Sequence, residues 1–268
     1  MSVRQAAVAG TFYPADPSPL RREVAELLAS NGPDTQGPAP KALIVPHAGY
    51  MYSGEVAARA YRLLEPIRGQ IQRVVLLGPA HRVWIEGMAV PLTSAFYTPL
   101  GRVALDRDAI DRIAGMDAVL ISDAAHAKEH SLEVQLPFLQ TVLDDFLLVP
   151  IAVGHCQAAP IAAVIDTLWG GSETLIVISS DLSHFLDYQH AIEVDSSTRD
   201  KILARCSTLT DQEACGARAI NGLMRAASAR DLAIELVDLR NSGDTAGDQR
   251  QVVGYGSFVL RRSRSART

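Results

Sequence analysis

The chain has 268 residues, 48% of them hydrophobic and 21% charged, with a formal net charge of -5. This is an ordinary globular composition, near the upper size of one domain. An acidic chain offers no footprint for nucleic acid or an anionic membrane, no apolar run is long enough to span a bilayer, and residues 1–10 lack the apolar segment of a secretory signal, so neither partner is expected. The three cysteines, Cys156, Cys206 and Cys215, include no Cys-x-x-Cys pair. They argue against a disulfide framework or a structural zinc site and read as small buried residues in a reducing, cytoplasmic setting.

A first helix is opened by the Ser18-Pro19 cap signal and carries Leu20, Val24, Leu27 and Leu28 on one face. Ser30 to Pro40, rich in Gly and Pro, reads as a surface loop. Strand 42–45 runs into His47, and a helix from about Ser53 to Leu64 follows. Strand 73–77 delivers His81. Segments 87–92 and 101–105 read as short strands, with a loop from Thr93 to Pro99, carrying Phe96 and Tyr97, that is long enough to cover a cleft. Helices are expected near 107–114 and from Ser131 to Leu143. An apolar strand at 146–153, a helix at 158–169 and a strand at 174–179 come next. Two helices follow at 188–204 and 211–227, the second opened by the capping box Thr210–Glu213. Strands 233–239 and 252–260 close the fold, and the Arg-rich tail, 260–268, reads as a frayed terminus. The alternation predicts one α/β domain over 1–268, a mixed, mostly parallel central sheet with helices on both faces. The pairs 87–92/101–105 and 233–239/252–260 are expected to be antiparallel neighbours.

Three apolar strands run into a histidine: Val-Pro-His47-Ala-Gly, Leu-Gly-Pro-Ala-His81 and Ser-Ser-Asp181-Leu-Ser-His184. Ligands of open α/β sheets bind outside the carboxyl ends of the strands, so these imidazoles are candidates for one site. Two histidines and a carboxylate with open positions is the facial arrangement of non-haem Fe(II) oxygenases. Asp244, in a Gly-containing turn after strand 233–239, is the candidate carboxylate, with Asp248 the second choice. Asp181 lies three residues before His184 and can orient it, which favours proton transfer there over a metal bond. His126, His130 and Glu133 would share a face if helical, but the apolar period begins only at Leu132. His130 and Glu133 are therefore expected to line the pocket, and His155 and His190 to be ordinary histidines. No phosphate loop, Gly-x-Gly-x-x-Gly turn or Gly-x-Ser-x-Gly elbow is present.

The segments Val-Ala-Gly-Thr-Phe-Tyr-Pro (8–14), Val-Pro-His47-Ala-Gly-Tyr, Leu-Gly-Pro-Ala-His81, Glu-His130-Ser-Leu-Glu133-Val-Gln-Leu-Pro-Phe, Ser-Ser-Asp181-Leu-Ser-His184 and Asn-Ser-Gly-Asp244 resemble the Memo family, of the AmmeMemoRadiSam system protein B type. That family is similar in fold to the class III extradiol ring-cleaving dioxygenases. The resemblance implies a three-layer α/β fold and metal contacts at His47, His81 and Asp244, with His184 where those dioxygenases keep an acid–base histidine. The dioxygenases use glutamate as the carboxylate and animal Memo proteins have cysteine at the position of Asp244, which leaves the metal open. A divalent transition metal is expected, Fe(II) first, then Cu or Zn. The resemblance also implies a pathway link to radical-SAM and AMMECR-type proteins. Three functions follow as expectations: an Fe(II)-dependent oxygenase-like enzyme, a binding protein holding a small molecule, peptide or redox metal in the same cleft, and a metal-dependent hydrolase.

Overall fold

The structure is a computed structural model that describes residues 2–30, 37–245 and 247–263. Among the described residues the central sheet has nine strands. From one edge they run Val119–Ile121, Met88–Val90, Leu147–Val153, Arg73–Pro79, Thr174–Ser179, Pro40–Val45 and Val252–Arg262. Leu232–Asn241 pairs along the far side of the last strand, and the short His184–Leu186 strand pairs with its start at Val252 and Val253. Four central strands are parallel, 147–153, 73–79, 174–179 and 40–45, and the strands on either side of them run antiparallel. The parallel strands are apolar almost throughout, because both faces of the sheet are covered.

One helical layer contains Pro17–Ala29, Tyr50–Tyr61 and Leu136–Val142, and the other contains Arg107–Ala114, Ala158–Leu168 and Ala217–Ala227. In the second layer Gly222 allows the last two helices to touch, since a Cβ there would lie 2.2 Å from Ile161 Cγ2. Tyr188–Leu203 packs on the strands 232–241 and 252–262. Among the described residues no helix is long and apolar enough to cross a membrane.

The predicted mixed α/β architecture is the observed one, with local corrections. The segment 101–104 does not pair with 88–90. It turns back at Pro99-Leu100 onto Ala95–Thr98, which pairs in turn with Val3–Arg4, giving a separate three-stranded sheet. The expected covering loop at 93–99 is therefore mostly strand, and its Phe96 is buried against Arg4 and His126 rather than facing a cleft. The first helix starts at Pro17, one residue before the Ser18-Pro19 signal. The expected 131–143 helix is a 3₁₀ turn, Glu133–Gln135, followed by a short helix from Leu136. The 211–227 helix begins at Ala217, because the Thr210 N–H and hydroxyl both donate to Glu213 in a self-contained turn. The last strand continues to Arg262 with Leu260 and Arg261 buried, so the tail is ordered to that point; residues 264–268 lie outside the described residues, as do 31–36 of the Gly/Pro loop.

Candidate metal site

Three histidines meet at the carboxyl edge of the sheet. His47 follows strand 40–45, His81 follows strand 73–79, and His130 comes from the loop after the short helix Asp123–Ala127. One ring nitrogen of each lies within 4.8 Å of the other two. The ring centroids are 5.2 Å apart for His47 and His81, 5.4 Å for His47 and His130, and 4.7 Å for His81 and His130.

The bonds behind these rings set their tautomers. Ser179 Oγ donates to the Ser131 carbonyl at 2.6 Å. It then has no hydrogen for its other neighbours, Gln135 Nε2 at 2.8 Å and His47 Nδ1 at 2.9 Å, so both must donate to it. Gln135 is itself fixed by Nε2–H to the Pro46 carbonyl and by the Tyr61 hydroxyl on Oε1. His47 thus carries its proton on Nδ1 and a lone pair on Nε2. Glu129 does the same for His81, accepting from its backbone N–H at 2.6 Å and its Nδ1 at 3.0 Å. The same carboxylate accepts the His130 and Ser131 N–H groups. His130 Nδ1 is buried and has no hydrogen-bond partner among the described residues, while its ring packs on Phe12 at 4.9 Å.

Burial, and then the charge of His81, push His47 down to about 3; burial and His47 push His130 down to about 4. Both imidazoles are therefore neutral near pH 7, the form that binds a metal. Burial works against ionised Glu129, but the His81 and Ser131 bonds outweigh it and hold the carboxyl at about 2. Neutral imidazoles, an orphaned buried nitrogen and an ionised carboxylate behind one ring are the donor chemistry of a transition-metal site.

The backbone makes the meeting possible. Gly78 lets Ser131 sit against strand 73–79, where a Cβ would lie 2.9 Å from Ser131 Oγ, and Ser131 Oγ donates to the Pro79 carbonyl. Beside the cluster lies a cleft of about 780 Å³ whose walls include His81, His184, His190 and Cys215.

The other candidates are placed as follows. His184 Nδ1 donates to the Leu182 carbonyl at 2.8 Å, which leaves Nε2 as the basic nitrogen. The expected partner of His184, Asp181, instead accepts the His47 backbone N–H at 2.7 Å. Glu133 is fully buried and faces away from the cluster, accepting from Arg4, from the backbone of Ala7 and Val8 and from Tyr13. Asp244 is exposed, with Oδ1 accepting from the Tyr188 hydroxyl and Oδ2 from the Asn241 N–H. Asp248 pairs with Arg250. His155 is an exposed neighbour of Glu86. Three groups gained no role from the sequence: Glu129, Ser179 and Cys215. Glu129 and Ser179 had one signal each, their places in the quoted segments that hold His130 and Asp181; Cys215 has none short of the fold.

A family model described as "Memo-like protein" matches residues 4–259. A "MEMO1 family protein" of Aquifex aeolicus is 36% identical over 97% of this chain and 100% of its own. One from Methanopyrus kandleri is 34% identical over 97% of this chain and 99% of its own. One from Archaeoglobus fulgidus is 34% identical over 97% and 100%. Among solved structures, the uncharacterized protein JW3007 of Escherichia coli K12 superposes with a TM-score of 0.52 at 14% identity, covering 81% of this chain and 98% of that one, a likeness of fold alone. With the motifs in order along a match that spans nearly its whole length, the chain belongs to the Memo family.

Proposed function

We propose that this chain holds one divalent transition metal through His47, His81 and His130 and, as its Fe(II) form, acts as an oxygenase-like enzyme on a small molecule seated in the adjoining cleft. The observation that carries the reading is the convergence of three imidazole nitrogens within 4.8 Å, two with Nε2 freed by bonds on Nδ1. Bound there, iron would supply redox chemistry at open coordination positions. The chain's own part is to present neutral imidazoles, to hold His81 through Glu129, and to accept or return a proton at His184 Nε2. Three imidazoles are also the donor set of catalytic zinc, which favours metal-activated water and hydrolysis as the second reading.

Anaerobic Fe(II) titration of wild type, His47→Ala, His130→Ala and Asp244→Ala tests the ligand set. One equivalent in wild type, none in the histidine variants and retention in Asp244→Ala is the expected result. Loss in Asp244→Ala with retention in His130→Ala would return the carboxylate to the site in place of His130. Substrate-dependent uptake of dioxygen across a panel of phenols then separates oxygenase from hydrolase. His184→Gln should keep one metal per chain while turnover falls about 10²–10⁴-fold.

A further inference from the structure

The geometry points to Cys215 as a fourth metal donor, a thiolate that joins His47, His81 and His130 when the ion enters. This rests on the metal reading above and adds to it the residue that decides which metals the site prefers.

Cys215 Sγ lies 3.3 Å from His47 Nε2. Because Nδ1 carries the proton of that ring, Nε2 is an acceptor, and the thiol can donate to the lone pair a metal would use, with the Asp181 carbonyl at 3.7 Å as its other acceptor. An ion taking the Nε2 lone pair removes the acceptor of that S–H bond and places a positive charge beside the sulfur. Two donors on one tetrahedral ion, with N and S at ordinary zinc distances, stand ~3.6 Å apart, and at a right angle ~3.1 Å apart. The observed separation falls between these values, so Cys215 Sγ and His47 Nε2 already stand where one ion could take both.

The sulfur is also held in place. The Cys215 N–H donates to the Asp181 carbonyl at 3.2 Å and the Asp181 N–H donates back to Cys215 Sγ at 3.3 Å. The next residue, Gly216, donates its N–H to Ser180 Oγ at 2.9 Å. A side chain at Gly216 would meet the Ser179 carbonyl at 2.7 Å, so only glycine lets the turn press this closely on the end of strand 174–179. An amide hydrogen bond to sulfur favours the thiolate once the proton is gone.

The step balances simply. One M²⁺ enters, the S–H bond is exchanged for an M–S bond, and one proton leaves to solvent, with no change of oxidation state. A thiolate among imidazoles biases a site toward softer ions, Cu(I) and Zn(II) over Mn(II), while a six-coordinate ion would still have two positions free.

Metal-free full-length protein titrated anaerobically with Co(II) tests this without reference to activity. Wild type should bind one equivalent with a near-ultraviolet thiolate-to-cobalt charge-transfer band. Cys215→Ser should bind one equivalent without the band, about 10–100-fold more weakly, and release one proton fewer per cobalt. The Cys156→Ser/Cys206→Ser double variant should keep the band. Cobalt bound by wild type with no band, a band that survives in Cys215→Ser, or one lost in the double variant would each overturn the assignment of Cys215 and leave the histidine site standing. No cobalt bound by wild type would overturn both.

Discussion

At the scale of single residues, the site depends on groups that touch no ligand. Glu129 fixes the proton on His81 Nδ1, so Glu129→Gln, which removes the charge and keeps the shape, should weaken metal affinity about 10–100-fold by calorimetric titration. An unchanged constant would mean that His81 needs no such orientation. The same burial that keeps the rings neutral makes the metal-free protein acid-sensitive. His47 is pushed down to about 3, and His126 and His130 to about 4, whereas an unfolded chain titrates its histidines near ~6.5. Between those values the unfolded state binds more protons, so stability falls as pH drops from about 6.5 toward 4, by up to ~1.4 kcal/mol per pH unit for each imidazole. His126 is outside the cluster, with one ring nitrogen bonded to the Ala89 carbonyl. Urea midpoints at pH 7, 6 and 5 should converge for His126→Gln relative to wild type, and parallel curves would contradict the linkage. His47, His81 and His184 were legible because each follows an apolar strand. Ser179 and Cys215 were not, because their roles are set by partners 132 and 168 residues away.

At the scale of elements, the turn Glu133–Gln135 ties the N-terminal segment to the sheet. Glu133 and Arg4 form a pair that is 0% and 4% exposed, and the same carboxylate takes two backbone N–H groups and the Tyr13 hydroxyl. Removing one member of a buried pair leaves the other uncompensated, at about 3–5 kcal/mol. Glu133→Ala should therefore be strongly destabilised or fail to fold. Tyr13→Phe, losing one bond, should cost about 1 kcal/mol. That loss should speed proteolysis ahead of Phe12, the residue whose ring packs on His130. Protease sensitivity unchanged in Tyr13→Phe would show that the segment is held by other contacts. The period of apolar residues located most strands and helices correctly. It failed at 131–143, where Ser131 is pinned at both its hydroxyl and its carbonyl and Pro137 lies in the first turn of the helix that follows. It also failed at 93–105, where two short runs of similar pattern paired with each other in a side sheet rather than with the main one. Pairing partners are a property of topology, and alternation alone does not choose between them.

At the scale of the whole molecule, the mixed sheet was readable because buried parallel strands must be apolar on both faces, and the helical crossovers between them must be amphipathic. Binding at the strand ends should be felt throughout. A ligand held only by the folded state stabilises it by about 2.7 kcal/mol at a hundred times its dissociation constant. Zn(II) or Co(II) should therefore raise the thermal midpoint of wild type and leave that of His47→Ala where it was. A rise in both would place the stabilising ion elsewhere.

The bonds that shape the histidines join residues 48, 132 and 134 positions apart, and the thiol contact spans 168. Each closes a long loop of chain, which is slow to form and is rewarded only when neighbouring strands have already registered. Metal competence is thus a late product of folding and a clock for its completion. After dilution from urea with Co(II) present, helical circular dichroism should recover first, and the cobalt spectrum should appear with the slowest phase. Cobalt colour within the dead time would mean that a local fragment preforms the site. Its absence until the end would mean that a chain still short of its last long-range pairings neither captures metal nor exposes a half-built metal site.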